Sequence, residues 1–194
     1  MGDSSELDEW MLGVYVRELV HQTEAAKFAV GELNAALVAP RSGTGRAFAA
    51  VQSLLAAAAM ISKILWHQSQ EPDDEAGRAR RQFAVDRAKA LRSALVLRSV
   101  PVLESRKVRN ALEHFDERLD GFFMGGHRIV VDQNIGPRES MIVIGGEPPL
   151  HLRLIDPARG TISVLEDEVV LQDLYDAISD IGRRAEEWLA KPRS

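Results

Sequence analysis

The chain has 194 residues, of which 45% are hydrophobic and 27% charged, which is typical of a soluble globular protein with one domain. It has no cysteine, so disulfides, thiolate metal sites and thiol catalysis are excluded. The first six residues are polar and acidic, unlike a signal peptide, and the longest apolar run, around residues 54–61, is too short to span a bilayer. We therefore predict a soluble cytoplasmic protein with no membrane partner.

The formal net charge of -5 is unevenly distributed along the chain. Between positions 78 and 109 lie ten lysine or arginine residues and only two acids, Asp86 and Glu104, which leaves 14 basic and 27 acidic residues elsewhere. This basic stretch has two interpretations: the solvated faces of two helices, or a local surface that binds phosphate groups.

Apolar residues at helical spacing predict three long helices over residues 6–38, 44–68 and 74–98. Asp3, Ser4 or Ser5 could cap the first helix, and Pro40 with the glycines that follow it would end it. The second helix is rich in alanine, which lets a neighbouring helix approach closely, so we place it at the centre of a bundle. On the third helix the period puts four basic residues on one outward side: Arg78, Arg81, Lys89 and Arg92.

A fourth helix is predicted from residue 104 or 105 to residue 123, after Pro101 interrupts the chain. Its apolar residues form one stripe and should be part of the core. The stripe consists of Val108, Ala111, Leu112, Phe115, Leu119 and Phe122.

The pattern then changes to short β-branched runs at residues 128–132, 141–144, 152–155 and 161–165. The last two flank Asp156-Pro157-Ala158-Arg159-Gly160, which is a good hairpin signal. A final helix is predicted over residues 168–190. The predicted fold class is mainly α: one domain over residues 1–194, a bundle of four to five helices, with a small antiparallel β insert at about 127–166 before the last helix.

Metal and cofactor chemistry find little support in the sequence. None of the five histidines pairs with another at metal-ligand spacing. No glycine-rich loop has the spacing of a phosphate cradle, and no serine lies in a nucleophile elbow. We predict no metal and no cofactor.

The polar face of the fourth helix holds the residues most suited to chemistry, Arg109, Asn110, Glu113 and His114. Metal-independent RNA cleavage needs a base for the 2′-hydroxyl proton and a cation for the charge that develops on phosphorus. A histidine can act as the acid or base, typically worth about 10² to 10⁴ in rate. Arginine matches phosphate oxygens with a planar fork. Asn110, one turn before His114, could bind a phosphate or orient the imidazole ring.

Arg109 and His114 lie about 140° apart around the helix axis, so one isolated helix does not aim both at the same atom. A second protomer could complete the site if two copies of this face met across a dimer axis. The alternative is an ion pair between Arg109 and Glu113 beside a solvated histidine, and the residues alone favour it.

The segment Arg109-Asn110-Ala111-Leu112-Glu113-His114 resembles the Arg-x4-6-His motif of the HEPN superfamily, with a polar residue after the arginine. The flanking Arg106-Lys107-Val108 and Phe115-Asp116-Glu117-Arg118-Leu119 also resemble a bacterial branch of that superfamily. The resemblance covers residues 6–123 and the last helix, because the β insert is not part of the minimal fold.

This resemblance implies a homodimer whose two motif helices line one cleft. It also implies a metal-independent endoribonuclease of the toxin or defence type, with RNA as substrate and an antitoxin or another protein as partner. Arg109 and His114 would be catalytic, with Asn110 and Glu113 supporting them. RNA would be held by the basic residues Arg78, Arg81, Lys89, Arg92, Arg106 and Lys107. Other members of the superfamily are not nucleases, so a non-catalytic interaction or nucleotide-binding module is the alternative.

Overall fold

The computed structural model describes residues 7–39, 43–67, 74–105, 115–126, 129–138, 149–165 and 167–192. Within these ranges the helices are α1 (Glu9–Val38), α2 (Gly43–Leu65), α3 (Glu75–Ala94), α4 (Pro101–Glu104), α5 (Phe115–Met124) and α6 (Leu171–Leu189). The strands are β1 (Val130–Val131), β2 (Asn134–Ile135), β3 (Leu150–His151), β4 (Arg153–Asp156), β5 (Thr161–Val164) and β6 (Asp167–Val170). The chain is therefore mainly helical, with a small strand region before the last helix, as predicted.

Helices α1 and α2 form the main helical pair of the bundle. Helix α1 begins at Glu9, slightly later than predicted, and the Asp8 carboxylate caps it by accepting a hydrogen bond from the Met11 N–H at 2.7 Å. The predicted caps, Asp3, Ser4 or Ser5, lie outside the described residues. Helix α2 packs on α1, α3, α4 and α6, which confirms its predicted central place. Its alanines at 47, 50, 57 and 58 are buried, so small side chains do permit close packing here.

Helix α2 as a whole is long and apolar enough to cross a membrane by length and composition alone. However, 67% of its most apolar window is buried inside the protein. Packing in the bundle therefore accounts for its composition, as in the core helix of a soluble protein.

Helix α3 ends four residues before its predicted end. Val96 adopts a φ of 52°, and the Leu97 N–H donates to the Arg92 carbonyl at 2.9 Å. This is the left-handed termination that usually uses glycine, and a β-branched residue rarely adopts it. The Arg184 guanidinium of α6 donates to the Val96 carbonyl at 3.1 Å, which helps to satisfy the end of the helix.

The fourth predicted helix differs from the structure in two respects. Ser105, a predicted starting residue, has extended backbone with a ψ of 140° and ends the short helix α4, which Pro101 begins. Helix α5 has no buried residue, although Phe115 packs against the core from its surface. The part of the predicted stripe that the structure describes, Phe115, Leu119 and Phe122, is therefore half-buried and not the centre of the core.

The strands form a four-stranded sheet in the order β2-β4-β5-β6 and a separate pair, β1 with β3. The predicted hairpin is confirmed: Asp156 lies opposite Thr161, and the Asp156 carboxylate accepts from the Ala158 N–H at 3.0 Å. The expectation of a purely antiparallel insert was wrong, because β2 pairs with β4, and β1 with β3, in parallel. The predicted strand at 141–144 lies outside the described residues.

The last helix begins at Leu171, not at residue 168 as predicted, because residues 167–170 form β6 and pair with β5. One face of the sheet joins the same hydrophobic core as the helices through Ile155, Ile162, Val164 and Val169. Helix α6 contributes Leu174, Ile178, Ile181 and Ala185 to that core, all of which were predicted.

Candidate functional site

The segment that carries the motif, residues 106–114, lies outside the described residues. The structure therefore assigns no position to the predicted catalytic and supporting residues or to two of the predicted RNA-binding residues: Arg109, His114, Asn110, Glu113, Arg106 and Lys107. It does describe the two ends between which this segment runs, Ser105 and Phe115.

The end that precedes the motif is anchored in the bundle. Leu103 is fully buried, and its carbonyl accepts a hydrogen bond from the Ser62 hydroxyl of α2 at 2.6 Å. The Glu104 carboxylate accepts from the Val100 N–H at 2.6 Å, which closes the turn of α4 on itself. The last described residues before the motif are thus held in the bundle at Leu103 and Glu104.

The end that follows the motif is anchored on the sheet. The Arg153 guanidinium lies 5.4 Å from the centre of the Phe115 ring, a cation–π distance. The same guanidinium donates to both carboxylate oxygens of Asp132, each at 2.8 Å. Such a bidentate pair fixes the plane of the arginine, and with it the surface on which Phe115 rests.

Helix α5 is also tied to the sheet further along. The Arg118 Nη1 lies 2.5 Å from the Asp167 carboxylate of β6, with both side chains partly buried. This pair lies in a depression of about 410 Å³ between α5 and the sheet. Because the carboxylate neutralises the arginine, we assign the pair to holding α5 in place.

The predicted phosphate-binding residues of α3 occupy different environments. Arg78 and Arg81, with Gln82 and Val85, line a concave surface of about 330 Å³. Lys89 is exposed.

The Arg92 side chain is directed elsewhere, although periodicity puts it on the same outward side. Its guanidinium donates to the Leu65 carbonyl, and the Arg87 guanidinium donates to the Lys63 carbonyl at 3.0 Å. Two arginines of the basic stretch therefore donate to carbonyls at the C-terminal end of α2 and help to stabilise the fold. Helical periodicity in the sequence does not reveal this role.

A cavity of about 190 Å³ lies between α2, the start of α5 and the bundle-facing side of the sheet. Sequence reasoning missed it. Its helical wall comes from Phe48, Val51 and Leu55, which are buried and recur at spacings of three and four. The remaining lining residues are Gln52, Phe115, Arg153, Ile162, Ser163 and Val164. The sequence does contain one sign of the cavity. Alternate residues of a strand share one face, so Arg153 puts a charged side chain on the same face as the apolar Ile155.

Several polar side chains are buried in the strand region. His151 is 3% exposed, and within the described ranges its Nδ1 has no hydrogen-bond partner. Burial, and then the positive charge of Arg138, lower the pKa of His151 below its ordinary 6.5. Among the residues that the structure describes, no group of three or more histidine, aspartate or glutamate side chains could hold a metal ion.

The lowered pKa of His151 predicts that the protein loses stability as the pH falls. In the unfolded chain His151 takes up a proton near pH 6.5. In the folded chain it stays neutral until the pH falls through its lowered pKa. The stability is therefore complete above about pH 6.5 and declines below it, by at most about 1.4 kcal/mol per pH unit. Urea denaturation at a series of pH values should show that His151→Leu removes part of this decline. Parallel pH profiles for the two proteins would contradict the prediction.

No protein-family model, curated protein or solved structure matches the chain. The relation to HEPN proteins therefore rests on the motif and its place in the chain, and it stays a proposal.

Proposed function

We propose that the protein is a HEPN-like, metal-independent endoribonuclease of the toxin or defence type that acts as a homodimer. His114 is the general acid or base, and Arg109 stabilises the charge on the transferring phosphate. Asn110 and Glu113 support these two residues. An antitoxin or another protein is the expected partner.

The observation that supports this proposal is the place of the motif in the order of the helices along the chain. Helices α1, α2 and α3 precede the Arg109–His114 segment, and α6 follows it and packs back on α1. The segment runs between the buried Leu103 and the core-packed Phe115. This order, with long helices before the motif and one after it, is the arrangement that the resemblance implies.

The basic residues supply a surface for the RNA backbone. Arg78 and Arg81 line one concave surface of α3, and the exposed Lys89 lies on the same side of that helix by period. Arg106 and Lys107 belong to the segment that enters the motif. The Arg92 guanidinium donates to the Leu65 carbonyl, so its charge is directed toward the end of α2.

The second candidate function is a non-catalytic nucleotide-binding module. The cavity beside Phe115 favours it, because mostly apolar walls with a few polar groups are typical of small-molecule sites. Such a module would bind a nucleotide without turnover.

An RNA cleavage assay with the purified protein in EDTA distinguishes the two functions. The nuclease predicts cleavage by the wild type and loss of cleavage in His114→Ala. The binding module predicts intact RNA with both proteins and a saturable complex with a nucleotide. Equal cleavage by both proteins would overturn the role of His114.

A further inference from the structure

The cavity between α2, Phe115 and the sheet has the size of a small ring system. An engineered apolar cavity of about 150 Å³ in another protein holds one benzene molecule. The cavity of about 190 Å³ therefore has room for a planar ring or a compact fused pair. Phe48 and Phe115 supply aromatic surface, and every nucleobase has a π face that binds to such side chains regardless of sequence.

The polar groups of this cavity favour an uncharged ligand. The charge of Arg153 is already balanced by Asp132, through Nε and Nη2. Its third nitrogen, Nη1, makes no hydrogen bond to any described residue and can donate to an acceptor on a ligand. Because the pair is neutral overall, a carbonyl or ring nitrogen suits it better than a full anion.

Gln52 is a second polar group that a ligand in the cavity can contact. It is exposed, while its helical neighbours Val51 and Leu55 are buried. A glutamine amide carries both donors and an acceptor, which is the pattern that the edges of bases present. Strand alternation puts the Ser163 side chain on the opposite face of the sheet from Val164, so its hydroxyl is not counted among these groups.

We propose that this cavity binds a nucleobase, with the ring between the apolar walls and its polar edge at Gln52 and Arg153. The identity of the base rests on the proposed function: in a ribonuclease, the base belongs to the RNA substrate. Phe115 lines the cavity and directly follows His114 in the sequence, so a base that contacts Phe115 contacts the chain neighbour of the proposed acid or base. A free nucleotide presents the same chemistry, and the experiment separates the two sources.

The test uses the full chain carrying His114→Ala, which prevents turnover, titrated with adenosine, guanosine, cytidine and uridine by NMR. We expect at least one nucleoside to bind with a Kd of about 1 mM or lower. On that background Gln52→Ala should weaken binding about threefold to tenfold, the effect of one neutral hydrogen bond. The matched control is Ser53→Ala, the next residue of α2, whose hydroxyl donates to the Ala49 carbonyl at 3.0 Å and does not line the cavity.

A second variant fills the cavity. Val51→Phe should weaken binding more than about tenfold, since the new ring occupies the space for the base. Because that ring fills a cavity of the parent protein, the thermal transition of the variant should be at or above that of the parent. Failure of all four nucleosides to bind, or wild-type binding in both Val51→Phe and Gln52→Ala, would overturn the proposal.

RNA cleavage by Val51→Phe with His114 present identifies the source of the base. A changed base preference at the cut assigns the cavity to the RNA substrate, whereas an unchanged cut pattern with nucleoside binding assigns it to a free nucleotide. Absence of cleavage by the wild type overturns the proposed function alone, because the nucleoside titration still decides whether the cavity binds a base.

Discussion

Replacing His114 with alanine is expected to reduce metal-independent RNA cleavage by about 10² to 10⁴, the usual contribution of one general acid or base. Arg109→Lys should also lose activity, although it keeps the charge, because an ammonium group cannot contact two phosphate oxygens in the plane of a guanidinium. Single-turnover cleavage of one RNA in EDTA measures both losses. Thermal melts of the same samples should show that each variant remains folded.

The matched control is His21→Ala. His21 lies on α1 with its side chain 75% exposed, and it is not among the residues assigned to the proposed site. It should cleave at the wild-type rate. Equal losses in His21→Ala and His114→Ala would indicate an effect of histidine removal that is unrelated to the motif.

Gly182→Ala is expected to destabilise the protein by about 1–3 kcal/mol, although alanine normally favours a helix over glycine by about 1 kcal/mol. A Cβ at Gly182 would lie 2.4 Å from Thr23 Cγ2 and 2.9 Å from Thr23 Oγ1. Thr23 is 1% exposed, and its hydroxyl donates to the Leu19 carbonyl at 2.9 Å, so it has little room to move. Helices α1 and α6 would have to separate at this crossing. Chemical denaturation measures the change in the free energy of unfolding.

Gly31→Ala is the control for this change. Gly31 is an exposed position of α1 where an added Cβ meets nothing within 4 Å, so the same substitution should stabilise the protein by up to about 1 kcal/mol. Thr23→Ser, which removes the Cγ2 methyl, should recover part of the loss when combined with Gly182→Ala. Equal stability of the two glycine variants would show that the helix crossing does not depend on this close approach.

Local signals predicted the approximate positions of the three long helices that begin the chain, and long-range strand pairing explains why the start of the last helix was misplaced. Asp74 caps α3 at its predicted start, because a carboxylate cap depends only on the next few residues, and its side chain accepts from the Gly77 N–H at 2.6 Å. The early end of α3 at Val96 has no sequence signal, since a valine seldom takes a positive φ. Residues 168–170 were predicted to be helical, because only their pairing with β5 makes them part of a strand. Parallel pairing in the insert was missed for the same reason.

The site was harder to predict than the fold. Periodicity predicts that Arg78, Arg81, Lys89 and Arg92 share one side of α3, but it cannot show that Arg92 reaches the carbonyl of Leu65, 27 positions away. The cavity depends on Arg153 and Asp132, which are 21 positions apart and meet only in the folded sheet. The motif itself was visible in the sequence because its residues are neighbours on the chain.

The chemistry of the RNA ends tests the proposed nuclease most directly. Attack by the 2′-hydroxyl, with His114 and Arg109 acting on the phosphate, must leave a 2′,3′-cyclic phosphate on one fragment and a 5′-hydroxyl on the other. RNA cut by the wild-type protein in EDTA should therefore carry these ends, as mass spectrometry of the fragments would show. Fragments with 3′-hydroxyl and 5′-phosphate ends, or cleavage that stops when EDTA is added, would contradict it.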